Sequence, residues 1–159
     1  MTQDHAPFRA DEVGSLLRPE ALKTARAGFA EGKIGRDELK AVEDDCIRDV
    51  VKKQEAVGLK AVTDGEFRRS WWHFDFLGAL DGVDIVEGKT SIAFKGVNTK
   101  AQSLGVSGKV GFGDHPMIEH FKFLKSVTNV VPKMTIPSPT VLHFRGGRDA
   151  ISKDVYPDM

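Results

Sequence analysis

A long amphipathic helix followed directly by a short buried strand constrains the fold of this chain more than any other feature of its sequence. Between Asp37 and Val57 the apolar residues recur at helical spacing along one face, and Gly58 ends the predicted helix. The apolar run at 59–62 stops at the polar residues 63–66, which is typical of a buried strand with a loop at its carboxyl end. This succession predicts an α/β unit.

The rest of the sequence adds strands and helices of the same kind. Alternating residues punctuated by glycines predict a small antiparallel β excursion over 83–112, which lies between two parallel-type strands. The predicted helices cover 18–32, 37–57 and a segment capped by Asp114, and the predicted parallel strands cover 8–13, 60–63 and 130–136.

Three parallel strands with crossover helices do not close a barrel, because a (β/α)8 barrel needs about eight strands. We therefore expect either a small open sheet or a partial (β/α)8 TIM-type barrel, with about the first three strands and their helices. No repeat or linker divides residues 1–159, so the sequence predicts a single domain.

Composition excludes several classes of protein. The 23 basic and 23 acidic residues balance, which gives no net field for nucleic acid or an anionic membrane, and no run of apolar residues is long enough to span a bilayer. Cys46 is the single cysteine, so a disulfide framework or a cysteine-based zinc site within one chain is excluded. We expect a cytoplasmic protein without nucleic-acid or membrane partners.

Polar residues follow two of the predicted parallel strands. Val13, Gly14 and Ser15 end the first strand, and Asp64 and Glu66 follow the second. Ligands collect at the carboxyl ends of parallel strands, and a carboxylate there holds an ammonium group by charge-assisted hydrogen bonds. The alternative is a strand-to-loop turn at Ser15 and a tight turn with solvated carboxylates at Glu66.

Arginines stand beside tryptophans in the segment after the second strand. Arg68, Arg69, Trp71 and Trp72 place cations next to flat apolar faces, which suits an anionic ligand with an aromatic ring. In the alternative interpretation the tryptophans pack against the protein or a partner subunit, and the arginines stay solvated.

The chain carries no nucleophile elbow, Walker lysine loop or zincin motif. Its histidines occur singly, without metal-ligand spacing, and Cys46 lies on the apolar face of the long helix, where a buried thiol is expected. We assign no catalytic residue and no metal ligand from the sequence.

Taken in order, four segments resemble the cobalamin-independent methionine synthase family, in particular the catalytic barrel of its shorter single-barrel relatives. The segments are RADEVGSLLRP at 9–19, QEAVGL at 54–59, TDGEFRR at 63–69 and the stretch 132–140. The resemblance implies a (β/α)8 barrel of methionine biosynthesis, in which zinc activates a thiol, normally homocysteine, to attack a methyl group carried by a folate.

Carried over residue by residue, the resemblance implies substrate-binding roles. Val13, Gly14 and Ser15 match the strand end that grips the amino acid's carboxylate, and Glu66 matches the acid that receives its ammonium group. Arg68, Arg69, Trp71 and Trp72 are the residues expected to contact folate or another anion.

The zinc ligands of the complete family enzyme, a His-x-Cys pair with a further glutamate and cysteine, have no counterpart in this sequence. We therefore expect the chain to bind no zinc and to be inactive as a methyltransferase. The alternative is a non-catalytic barrel fragment that self-associates as a homo-oligomer and so buries its sheet edges.

Overall fold

The computed structural model describes residues 8, 10–87, 102–144 and 146–158, which form two compact units. The first unit comprises the chain up to Arg69 together with Ile118–Thr135, and the second comprises Ser70–Met117 and the chain from Ile136 onward. The elements are α1 (Glu20–Ala30), α2 (Arg36–Ala56), β1 (Ala61–Val62), α3 (Phe74–Leu77), β2 (Asp81–Glu87), β3 (Gln102–Gly111), α4 (Pro116–Ser126), β4 (Val131–Pro132) and two short 3-10 helices, Pro139–Leu142 and Gly147–Ala150.

The first unit contains a short parallel sheet. β1 pairs with β4, with Ala61 opposite Val131 and Val62 opposite Pro132, and the Lys133 amide donates to the Val62 carbonyl at 2.8 Å. The predicted α/β class is confirmed, and two of the three predicted parallel strands form over two residues each.

The predicted strand at 8–13 is wrong over the residues that the structure describes, since Phe8 and residues 10–13 form no strand; residue 9 lies outside them. Hydrogen bonds from side chains, and not strand pairing, hold this segment. The Thr63 hydroxyl contacts the Gly14 carbonyl at 2.8 Å, and the Thr135 hydroxyl donates to the Val13 carbonyl. Val13 itself is 78% exposed, so little apolar burial favours a strand here.

One apolar core holds the first unit together. Its fully buried members come from α1, α2, β1, the loop after β1 and α4; they are Leu22, Ile47, Val51, Val62, Phe67 and Leu124. Cys46 is partly buried and packs against this cluster. Each such side chain contributes roughly 1.5–3 kcal/mol by leaving water. The apolar spacing of α2 is thus confirmed as a core-facing stripe.

Gln54, on α2, bonds to the backbone of the residue that follows β1. Its side-chain amide donates to the Thr63 carbonyl at 2.8 Å and accepts from the Thr63 amide at 3.0 Å. Buried backbone groups need partners, and here a helix side chain supplies both. The end of β1 is therefore fixed to α2.

The second unit contains the predicted antiparallel excursion, in which β2 pairs with β3. The register shifts between Asp81 and Val83, where Gly82 takes a φ of +73° that suits glycine. Residues 88–101 of the predicted excursion lie outside the described residues. Phe74, Leu77, Val83 and Leu104 form the core of this unit. No helix in the described part of the chain has the length and apolar character needed to cross a membrane.

Candidate functional site

The ends of three segments converge on Gly14 in the first unit. A β-carbon built on this buried glycine would stand 2.9 Å from Glu66 Oε1 and 3.3 Å from Thr135 Oγ1. The Ser15 side chain hydrogen-bonds to Glu66. We call residues 13–15, 63–66, 69 and 135 the strand-end site.

Thr63 ties two of these segments together. Its buried hydroxyl lies 2.6 Å from Glu12 Oε1 and 2.8 Å from the Gly14 carbonyl, and it accepts from the Gly65 amide at 3.2 Å. The Leu16 amide also donates to the Gly65 carbonyl at 3.1 Å. These bonds fix the Gly14 segment against the loop that follows β1.

Glu66 adopts a backbone conformation that is rare for its residue type. Its φ is +55°, in the left-handed region, directly after Gly65 at +67°. The Asp64 carboxylate stabilises this turn by accepting from the Glu66 amide at 2.8 Å. Strained non-glycine residues of this kind cluster at functional sites, and the strain here aims the Glu66 carboxylate at Gly14.

Two arginines of the α1 region bind the loop that carries Glu66. The Arg18 guanidinium donates to the carbonyls of Glu66 at 3.1 Å and of Arg69 at 2.7 Å. Arg26 donates to the Phe67 carbonyl at 2.5 Å. Because several of its carbonyls are held in this way, the loop keeps the unusual conformation of Glu66.

The Glu66 carboxylate is poorly solvated. Burial raises its pKa above the ordinary value, against the lowering effects of the Arg69 guanidinium and the Ser15 hydrogen bond, while Asp64 and Glu12 raise it further. Its Oε2 pairs with Arg69 as an ion pair but has no partner in hydrogen-bond geometry. This oxygen is buried, so the Arg69 guanidinium is the charged group that compensates it.

The structure brings Val13, Gly14, Ser15, Glu66 and Arg69 together, and it places Arg68 elsewhere. The Arg68 guanidinium contacts Glu43 at 3.1 Å and pairs with Asp44, and its side chain is 6% exposed. Its predicted contact with an anionic ligand has no support from this position, because the carboxylates of Glu43 and Asp44 already bind the guanidinium.

The two tryptophans belong to the second unit. Trp71 packs against the core of that unit and stacks on Phe74, with ring centroids 6.1 Å apart, whereas Trp72 is 48% exposed. Trp71 matches the packing alternative, and Trp72 leaves a flat face accessible to solvent. Their contacts with folate stay predictions.

Among the described residues, no group of three or more His, Cys, Asp and Glu side chains is placed to hold a metal ion. His115 binds the Phe76 carbonyl at 2.9 Å and accepts from the Met117 amide at 3.2 Å, which is a structural role. Burial, followed by neighbouring acids, raises the pKa of Cys46, so its thiol stays protonated. The described residues do not fit the zinc that the family resemblance implies.

Sequence reasoning missed Thr63 and Thr135 as members of the site. Both follow the short parallel strands, Thr63 directly after β1 and Thr135 three residues after β4. Position at a strand end is therefore a signal that applies to hydroxyl residues as well as to carboxylates.

Several known proteins are similar to this chain in sequence or in structure. No family model matches the chain. YxjG of Bacillus subtilis, an uncharacterized protein, is 50% identical over 151 residues, which cover 94% of this chain and 39% of that protein.

Two solved structures carry a description of activity. A Listeria monocytogenes protein assigned to the vitamin-B12-independent methionine synthases is 46% identical with a TM-score of 0.74, over 92% of this chain and 40% of the other. A B12-independent methionine synthase from Shewanella sp. W3-18-1, in complex with selenomethionine, is 26% identical with a TM-score of 0.55, over 79% and 35%. This chain thus spans about two fifths of the length of the first relatives it matches.

Proposed function

We propose that this chain, whose resemblance to the cobalamin-independent methionine synthase family is confirmed by these comparisons, supplies the amino-acid-binding side of a methyltransferase site. The substrate is a thiol amino acid, homocysteine, that accepts a methyl group from a folate in methionine biosynthesis. The architecture we propose is the opening part of a (β/α)8 barrel, with the strand-end site at the carboxyl ends of its strands.

Glu66 carries the proposal, because its carboxylate is held in a strained, desolvated position that costs stability without a ligand. An ammonium group placed beside the Glu66 carboxylate adds a second positive charge to the one on Arg69. Hydrogen bonds between charged groups are about twice as strong as neutral ones. Binding an amino acid here repays the cost of holding the carboxylate.

The segment of Val13, Gly14 and Ser15 supports the other end of the same ligand. Gly14 is buried directly under the Glu66 carboxylate, which occupies the space that a side chain would take, while its neighbours Val13 and Ser15 are exposed. We assign the ligand's carboxylate to this segment, in line with the family resemblance. Arg69 is the proposed contact of this unit with the folate.

The proposal covers substrate binding and derives no step through zinc, since the described residues offer no donor set that fits the ion. In the complete family enzyme, zinc supplies a deprotonated, nucleophilic thiolate. The inactivity of the chain, its cytoplasmic location and its self-association stay predictions.

Calorimetric titration of the 159-residue chain with L-homocysteine and with 4-mercaptobutanoate, which lacks the amino group, tests the proposal. We expect the wild type to prefer homocysteine, and Glu66→Gln to lose roughly 1.5–3 kcal/mol of homocysteine binding while hardly affecting the other thiol. Glu20→Gln, at an exposed glutamate of α1, is the matched control. Equal losses for both thiols would rule out the assigned role of Glu66.

A further inference from the structure

Thr135 lies beside Glu66 at the strand-end site, and the two side chains come from different segments of the first unit. The point where a β-carbon of Gly14 would stand is 2.9 Å from Glu66 Oε1 and 3.3 Å from Thr135 Oγ1. That point belongs to Gly14 and is not a ligand position, but because both oxygens lie within 3.3 Å of it, they are close enough to each other for one donor group between them to reach both. Thr135 is an exposed residue, so a ligand can approach it from solvent.

The Thr135 hydroxyl already donates its one hydrogen bond within the protein. It donates to the Val13 carbonyl, and a hydroxyl carries only one hydrogen but two acceptor lone pairs. With its proton used in this way, Oγ1 can accept a hydrogen bond but cannot donate one to a ligand. A carboxylate is therefore a poor partner for this atom, and a positively charged N–H donor is a good one.

We propose that Thr135 is a second acceptor for the ammonium group of the amino-acid substrate and so a specificity-determining residue. The inference rests on the proposed function, in which Glu66 binds the same group. An ammonium group has three N–H donors, and the Glu66 carboxylate leaves at least one of them for a neighbouring oxygen. The neutral Thr135 oxygen accepts it without adding to the acidic charge of Asp64 and Glu12.

The arrangement also offers a role for the backbone of Val13, whose side chain is exposed. The Val13 carbonyl orients the Thr135 hydroxyl, so this backbone group acts through Thr135 on the ligand's ammonium group. This effect on the ammonium group is separate from the predicted role of Val13 toward the ligand's carboxylate, and it needs no contact of the Val13 side chain.

Titration of the full chain with L-homocysteine and 4-mercaptobutanoate tests the inference in two variants. Thr135→Val keeps the shape of the side chain but removes the oxygen, and we expect it to weaken homocysteine binding by about tenfold and the amino-free thiol by less than about twofold. Thr135→Ser restores the hydroxyl, and we expect it to recover the preference. Thr24→Val, at an exposed threonine of α1, is the matched control for the substitution itself.

The outcomes separate this inference from the proposed function. If Glu66→Gln abolishes the preference for homocysteine and Thr135→Val leaves it intact, Thr135 has no part in ammonium binding, although the proposed function stands. A Thr135→Ser variant that behaves like Thr135→Val, with normal circular dichroism and melting temperature, also overturns the inference. A wild-type chain that does not distinguish the two thiols overturns both.

Discussion

The carboxylate of Glu66 lies directly against the α-carbon of Gly14, on the face where any other residue would carry its side chain. A β-carbon at this position would stand 2.9 Å from Oε1 and 3.2 Å from Cδ of Glu66. The two residues, far apart in the chain, thus form one structural unit, and each depends on the size of the other.

We predict that Gly14→Ala displaces the Glu66 carboxylate, because contacts this short are not sustained. Overpacking of this kind costs about 1–3 kcal/mol of unfolding free energy, and homocysteine binding should fall with it. Urea unfolding and calorimetry measure the two effects. Gly35→Ala is the matched control, since a β-carbon at Gly35 meets nothing within 4 Å. Similar results for both variants would contradict the packing argument.

The left-handed backbone of Glu66 gives a second prediction. Glycine adopts φ near +55° without the steric cost of about 1–2 kcal/mol that other residues bear there, although its greater freedom in the unfolded chain offsets part of this gain. Glu66→Gly should therefore be at least as stable as Glu66→Gln, while both lose the preference for homocysteine. Urea unfolding of the two variants side by side is the measurement, and a clearly less stable glycine variant would refute the strain.

The buried carboxyl of Asp64 makes stability depend on pH. Burial raises its pKa above the ordinary value of 3.8, so the folded chain holds this proton to a higher pH than the unfolded chain does. The stability that comes from the raised pKa is fully present below the ordinary value and is lost as the pH rises through the raised one. Asp64→Asn keeps an acceptor for the Glu66 amide. We expect its free energy of unfolding, relative to that of the wild type, to be higher at neutral pH than at acid pH. Urea titrations across this range would show no such trend if Asp64 were solvated.

The carboxyl of Glu55 makes stability depend on pH in the opposite direction. Hydrogen bonds from the Thr128 hydroxyl at 2.7 Å and the Asn129 amide at 2.9 Å lower its pKa, so the stability it contributes is present above the ordinary value and is lost as the pH falls through the lowered one. We expect Glu55→Gln to cost about 1 kcal/mol at neutral pH and progressively less in acid. Glu31→Gln, at an exposed glutamate, should show neither effect, and a pH-independent cost at Glu55 would argue against the ionised form.

The regular elements of the first unit could be predicted from local patterns because apolar spacing alone determines which faces are buried. The stripe that includes Ile47 and Val51 predicted α2 to within a residue or so at each end, and the strand of Ala61 and Val62 followed from the polar stop at residue 63. The conformation of residues 10–13 was not predicted correctly. Hydroxyl groups from distant segments hold these residues, and the local apolar pattern contains no information about such contacts.

The position of Arg68 could not be predicted for a related reason. Its partners, Glu43 and Asp44, lie 25 and 24 residues away on α2, and nothing in the local sequence distinguishes Arg68 from Arg69. The two neighbours point to different partners, one toward α2 and one toward Glu66. Only the tertiary packing of α2 against the loop separates a structural arginine from one at the site.

The amide of Gln54 has a consequence for how the sheet can grow. By bonding to both the amide and the carbonyl of Thr63, it imitates the peptide group of a neighbouring strand and occupies the only pairing positions that Thr63 offers on that side. A further strand cannot add to the sheet at this residue without first displacing the helix side chain. The same helix that builds the core therefore also prevents strand pairing at Thr63, and the hydroxyl of Thr63, rather than its backbone, contacts the segment around Gly14.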